Sequence, residues 1–204
     1  MKKTLQYFAV ACLVVAAVVG VMYATGAPPE KPDSMQNRTV ALSEPETEAV
    51  KGFEARLKDY AVLREKVVAT AEPLSDNATP EEIDKHRQQM RGMIETARTG
   101  AKQGDFFTPG MVGLVKRVCA VKVAGKDDKA VKETIMDENP GQLPSVGVND
   151  RYPDGVPVTT MPSQLLEALP KLDPYLEYRF IGKRLVLVDA SAGMVLDMTP
   201  DVLP

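Results

Sequence analysis

The sequence predicts an α+β fold: an N-terminal membrane-spanning or signal helix, an antiparallel helical hairpin with two shorter helices, and a small C-terminal antiparallel β-meander. Three observations predict it. A charge-free apolar run opens the chain, apolar residues at three- and four-residue steps fill the stretch from 44 to 138, and short β-rich runs joined by tight-turn residues close it. The segments that follow are 1–27 as signal peptide or transmembrane anchor, 28–43 as extended linker, 44–138 as helical lobe, and 139–204 as a turn-rich segment with a β-module.

Lys2 and Lys3 precede Leu5 to Ala27, a run without a formal charge whose centre, Phe8 to Val21, is almost entirely aliphatic or small. A positive start, an apolar stretch and the small residues Ala24 to Ala27 make an export signal. The run is also as long as the ~20 residues that cross a bilayer, so a cleaved signal and a retained anchor both remain open. Positive charge on the short N-terminal side alone puts the body of the chain in an extracytoplasmic compartment. A buried core helix would need a polar face, which this run lacks. Ala9-Val10-Ala11-Cys12 faintly resembles a lipobox, but Cys12 follows the basic residues too soon.

Pro28 to Ala41, with three prolines and few apolar residues, reads as a tether. Ser43-Glu44-Pro45-Glu46 then has the pattern of a capping box, and Val50, Phe53, Leu57, Tyr60, Val67 and Ala71 mark one face of a long helix that Pro73 ends. Thr79-Pro80-Glu81-Glu82 starts a second helix, with Ile83, His86, Met90, Met93 and Ala97 on one face. The short link, Glu72 to Ala78, folds the two back as an antiparallel pair. Thr108-Pro109 opens a third helix with Val112, Val115 and Cys119 inward. A fourth, short helix is expected from Asp127 to Asp137, stopped by Asn139-Pro140-Gly141.

Beyond it, Tyr152-Pro153-Asp154-Gly155 has the composition of a type I turn, Val156 to Thr159 that of an edge strand, and Ser163 to Leu169 that of a one- or two-turn helix. Strands are expected at Leu176 to Ile181, Arg184 to Asp189 and Met194 to Met198. Gly182-Lys183 suits a two-residue hairpin with Gly first, and Ala190 to Gly193 a four-residue one. The helical lobe is expected to cover one face of this meander.

The stretch from about Ala61 to the end resembles a group of exported bacterial proteins with no known activity. The resemblance rests on Ala78 to Ile83, Gly104 to Pro109, Met136 to Gly141 and Arg151 to Pro157, and on a tail, Leu176 to Phe180 through Leu185 to Asp189, similar to a β-module of small periplasmic proteins. It implies export to the periplasmic side of a bacterial envelope and a shared fold, and it brings no catalytic residue, cofactor or ligand.

Composition narrows the chemistry. The formal net charge is −3, nearer −5 without Lys2 and Lys3, and Trp is absent, which argues against nucleic acid as a partner. Cys119 is the one cysteine of the exported body, so that body holds no internal disulfide; a buried hydrophobe is the ordinary reading and a reactive thiol the functional one. His86 is the only histidine, which rules out a His-rich metal site, and no Walker loop, dinucleotide fingerprint or nucleophile elbow accompanies it. Asp150, Asp154 and Gly155 echo a calcium loop, but Tyr152 and Met161 stand where ligands are required. Lys126 to Lys129 reads as a solvated helix start.

No catalytic, cofactor-binding or metal residue is therefore assigned. The expectation is a non-enzymatic envelope protein, tethered if its N-terminal helix is retained in the membrane, that presents a surface to a protein partner or to a second copy of itself. The alternative is a small extracytoplasmic hydrolase in which two acids among Asp150, Asp154, Asp189 and Asp197 converge.

Overall fold

The computed structural model describes residues 41–122, 144–153 and 161–203. The apolar run, most of the linker, the expected helix Asp127 to Asp137, the expected edge strand Val156 to Thr159, and Asp154 lie outside these residues. Among the described residues no helix is long and apolar enough to cross a membrane.

The order is α1 (Glu44–Thr70), α2 (Pro80–Ala97), α3 (Pro109–Lys122), a single turn α4 (Ser163–Leu166), then β1 (Leu176–Ile181), β2 (Arg184–Asp189) and β3 (Met194–Asp201). Both capping boxes form. At α1 the Glu46 carboxylate accepts the Ser43 backbone N–H at 2.9 Å and its hydroxyl at 2.7 Å. At α2 the Glu82 carboxylate accepts the Thr79 N–H at 2.7 Å while Thr79 Oγ1 accepts the Glu82 N–H at 3.3 Å. Orphan N–H groups at each start are thus partly satisfied locally. Helix α1 buries Phe53, Leu57, Tyr60 and Val67, as its spacing predicts.

Helix α2 runs back along α1: Arg98, just past its end, shares a groove with Arg56 and Tyr60, whereas Ile83 and Met90 lie by Val68 and Ala71. Its buried stripe differs from the expected one. Met90 is followed by Ile94, four residues on, and Ala97 is exposed. Four-residue steps drift little around a helix, so Ile94, not Ala97, faces the core. Helix α3 buries Met111, Leu114, Val115, Val118 and Cys119, a wide apolar surface fitting an element enclosed on more than one side. It approaches α1 closely at Gly110, where a Cβ would sit 3.1 Å from that of Ala49.

The sheet is a meander in the order β1-β2-β3, both pairs antiparallel. Ile181 pairs with Arg184 across Gly182, whose φ is +59°, and Asp189 pairs with Met194 across Ala190 to Gly193, as the turn residues predict. Strand β3 runs on to Asp201, past its expected end, and carries two irregularities in register. Val188 pairs with Val195 but Leu187 with Asp197, which leaves Leu196 as an inserted residue. The second lies near Pro200, a residue that cannot donate to a ladder. There the Thr199 hydroxyl substitutes for backbone, accepting the Leu185 N–H at 2.9 Å and donating to the Leu185 carbonyl at 3.3 Å.

Leu176, Tyr178, Phe180, Leu185, Leu187 and Leu196 join the helices in one core. Phe53 stacks on Phe107 and Tyr178 at centroid distances of 5.8 and 6.4 Å, and Phe106 meets Tyr60 edge-on. The sheet's second face is covered as well. Ile181, Val186, Val188, Val195 and Met198 pack with Val146 and Tyr152. The segment carrying those two residues also covers the start of β3: the Asn149 N–H donates to the Val195 carbonyl and the Tyr152 N–H to that of Gly193, each at 2.8 Å. An otherwise open strand edge is protected there.

Candidate functional site

Asp189 and Asp197, the acids on which a hydrolase reading leans most, are both fully buried. Asp189 lies at the end of β2, facing α1. Its Oδ2 accepts the Tyr60 hydroxyl at 2.8 Å and Arg64 Nε at 2.9 Å; its Oδ1 accepts the Ser191 hydroxyl at 2.5 Å and the Ala192 N–H at 3.0 Å. Burial and the neighbouring carboxylate push the Tyr60 phenol far above its ordinary range, so it remains a donor. Asp197 sits opposite Leu187 and takes backbone N–H groups from Phe106 and Phe107 at 2.8 Å, Gly104 at 2.9 Å and Met198 at 2.8 Å. Each carboxylate therefore fastens a loop or helix to the sheet, and neither offers an oxygen to solvent. Asp150 is exposed and accepts the Gly147 N–H at 2.5 Å, closing its own turn. Asp154 lies outside the described residues.

Cys119 is 2% exposed, and burial raises its thiol pKa to about 11. That is the environment of an inert core thiol. His86 is half-buried beside Ile83, Met90 and Leu74 at the hairpin end of the α1–α2 pair. Among the described residues no group of three or more His, Cys, Asp or Glu is placed to hold a metal ion.

Ionisable side chains do converge in one open place, and they are basic. A cleft of about 330 Å³ lies between α2, the 151–153 segment and the β2–β3 turn, and is lined by Arg87, Arg91, Arg151 and Arg179. Arg87 and Arg91 stand one helical turn apart, an arrangement that costs an isolated helix roughly 0.2–0.5 kcal/mol in repulsion. Among the described residues, the Glu177 and Asp84 carboxylates meet two of these guanidinium groups. Glu177 accepts from Arg179 Nε at 2.8 Å and Nη2 at 2.6 Å, and Asp84 meets Arg151 at 3.7 Å with both side chains about half exposed. A solvated pair of that kind contributes about 0–1 kcal/mol. Arg91 reaches the Ala192 carbonyl at a long 3.5 Å. Basic side chains thus outnumber acidic ones among the described residues that line this cleft, although the chain as a whole is acidic.

The floor is Tyr152, buried beneath Arg179, whose guanidinium carbon lies 4.6 Å from the ring centroid. Burial raises the Tyr152 phenol pKa, and the Arg179 guanidinium beside it opposes that rise. The sequence places Tyr152 at the start of a turn and Arg151 in a run that carries the family resemblance, and it assigns no role to Arg87 or Arg91. The i, i+4 spacing of the last two was a readable signal, but Arg151 and Arg179 join them only through the tertiary fold.

A second, more apolar groove of about 800 Å³ separates α1 from α2, with Val62 half exposed on its rim. Comparison of the chain with protein-family models, curated proteins and solved structures found no match to any of them.

Proposed function

We propose that this is a non-enzymatic protein of the bacterial envelope, exported by its N-terminal run, that binds an acidic segment of a protein partner in the arginine-lined cleft. One observation carries the reading. Asp189 and Asp197 are consumed in holding the fold, while four guanidinium groups line one open cleft among the described residues. Guanidinium forks favour carboxylates through paired, charge-assisted hydrogen bonds. Export is supported by the apolar start and by the resemblance to exported bacterial proteins.

The test is photo-crosslinking in intact envelopes from a probe at Arg87, with a second probe at exposed Glu48 on α1 as control. A defined adduct from position 87 that disappears on Arg91→Glu, with unchanged thermal stability, is the expected result. A purified monomer that forms no adduct and turns over an ester or glycoside would sink the reading.

A further inference from the structure

We infer that the groove between α1 and α2 seats a second copy of this chain, with the two α1 helices packed antiparallel about a two-fold axis at Val62–Leu63. The groove shares no lining residue with the arginine cleft, so the inference goes beyond the acidic-partner reading and does not rest on it.

Two independent observations meet here. The first is self-complementary charge. Of the described residues that line the groove, only Asp59 and Lys66 are charged, and both are exposed. They have opposite signs and stand equally far either side of the Val62–Leu63 midpoint. A two-fold interface sets each residue against its counterpart across the axis. Antiparallel α1 helices centred there bring Asp59 of each copy to Lys66 of the other, so the attraction occurs twice. No other charged residue of 54–71 falls opposite a charge in this register, and exposed Ala55 falls opposite exposed Thr70, two small side chains that allow close approach. A partner of uniform charge would be attracted by one rim residue and repelled by the other. The second observation is Gly92. It lies exposed within α2, where glycine costs about 1 kcal/mol relative to alanine, and a Cβ added there would meet nothing within 4 Å. Its own fold therefore has no use for the missing side chain, whereas an approaching helix does. The gap is a hole in the groove wall that takes the partner's exposed Val62 as a knob. Two α1–α2 hairpins joined in this way make a four-helix arrangement and cover apolar surface that one copy leaves open.

Sedimentation of the full chain in mild detergent, with the detergent's contribution matched by solvent density, tests this. The unaltered chain is expected as a dimer at micromolar concentration. Asp59→Lys and Lys66→Asp each turn both contacts into like-charge ones and should weaken dimerisation about tenfold. Combining Asp59→Lys with Lys66→Asp in one chain restores both contacts, as does mixing the two single variants, and either should recover the dimer. Gly92→Leu fills the hole from a position with open space around it, so it should remove the dimer without lowering the thermal midpoint. An unaltered chain that stays monomeric overturns the inference. So does a dimer that survives both single reversals unweakened, the result expected if only the N-terminal run associates. A combined variant no stronger than the single ones, or a Gly92→Leu protein that dimerises as before, overturns it equally. The position-87 crosslink tests the arginine cleft separately, so either reading can fail while the other stands.

Discussion

Asp197 illustrates how a buried charge is held without a salt bridge to it. Four backbone N–H groups converge on the carboxylate, and the guanidinium of Arg98 lies in the same region, near enough for attraction to Asp197 and Asp105 to oppose the lowering of its own pKa by burial. Asp197→Asn would turn an amide toward some of those donors. The change is expected to cost about 2–4 kcal/mol, read from urea unfolding, because hydrogen bonds to a charged group are worth about 1.5–3 kcal/mol each. Arg98 is used equally fully, donating to the Asn149 side chain at 2.6 Å and to the Leu196 carbonyl at 2.9 Å. That carbonyl belongs to the residue inserted in the bulge of β3, so the arginine supplies a partner where the ladder is interrupted. Cys119 makes the opposite case. In a Cys12→Ser background, a thiol reagent should modify it slowly in native protein at pH 8 and rapidly in denaturant. Fast native labelling would contradict both its burial and its raised pKa.

Between elements, the attachment of α1 to α3 has a distinct pH signature. Arg117 donates from Nε to Glu46 Oε1 at 2.6 Å and from Nη2 to Oε2 at 2.7 Å, so the carboxylate that closes the α1 capping box also bridges to α3. The Arg117 hydrogen bond, followed by those from Ser43, lowers the Glu46 pKa from 4.5 to about 2. A folded-state value below the unfolded one means that this stabilisation is complete above about pH 4.5 and is lost as pH falls toward 2. Glu46→Gln should therefore flatten the acid limb of the stability profile in that window while changing it little in form above pH 6. Gly110 lies at the same contact. Its replacement by Val would force α1 and α3 apart against Ala49, and overpacking of that kind typically costs about 1–3 kcal/mol, measurable as a lowered denaturation midpoint. These local features were mostly legible in the sequence. Ser43, Thr79, Gly182 and Gly193 each act within a few residues of themselves, so caps and turns could be read directly. What Arg64, Arg98 and Arg117 do depends on partners about 50 to 130 residues away, and no local pattern reports that.

Across the whole molecule, helices and sheet share one core, and the sheet is wet on neither face along its centre: Leu185 through Asp189 are all buried. The sequence reading expected one covered face, as is usual for a small meander, because the Val146–Tyr152 segment has no strand pattern and its cover could be seen only in the fold. The same gap hid the arginine cleft, which draws on α2, that segment and β1. At this scale the apolar start of the chain gives a further expectation. Membrane fractionation with N-terminal mass analysis should find the native chain either bilayer-bound and intact or trimmed near Ala27. Recovery of the untrimmed chain in a soluble cytosolic fraction would refute export.

The placement of Asp189 has a consequence for biogenesis. Translation delivers the three helices first, yet Tyr60 and Arg64 find their acceptor only 129 and 125 residues later, at Asp189. An incomplete nascent polypeptide thus leaves the aromatic surface around Phe53 without its floor, and native-like closure waits for the final strands. Nascent chains stopped at Asp189 should be digested as readily as unfolded ones, with protease resistance appearing only once β3 has left the ribosome. Such late maturation would suit the export proposed above, in which a polypeptide threads a translocation channel before it compacts.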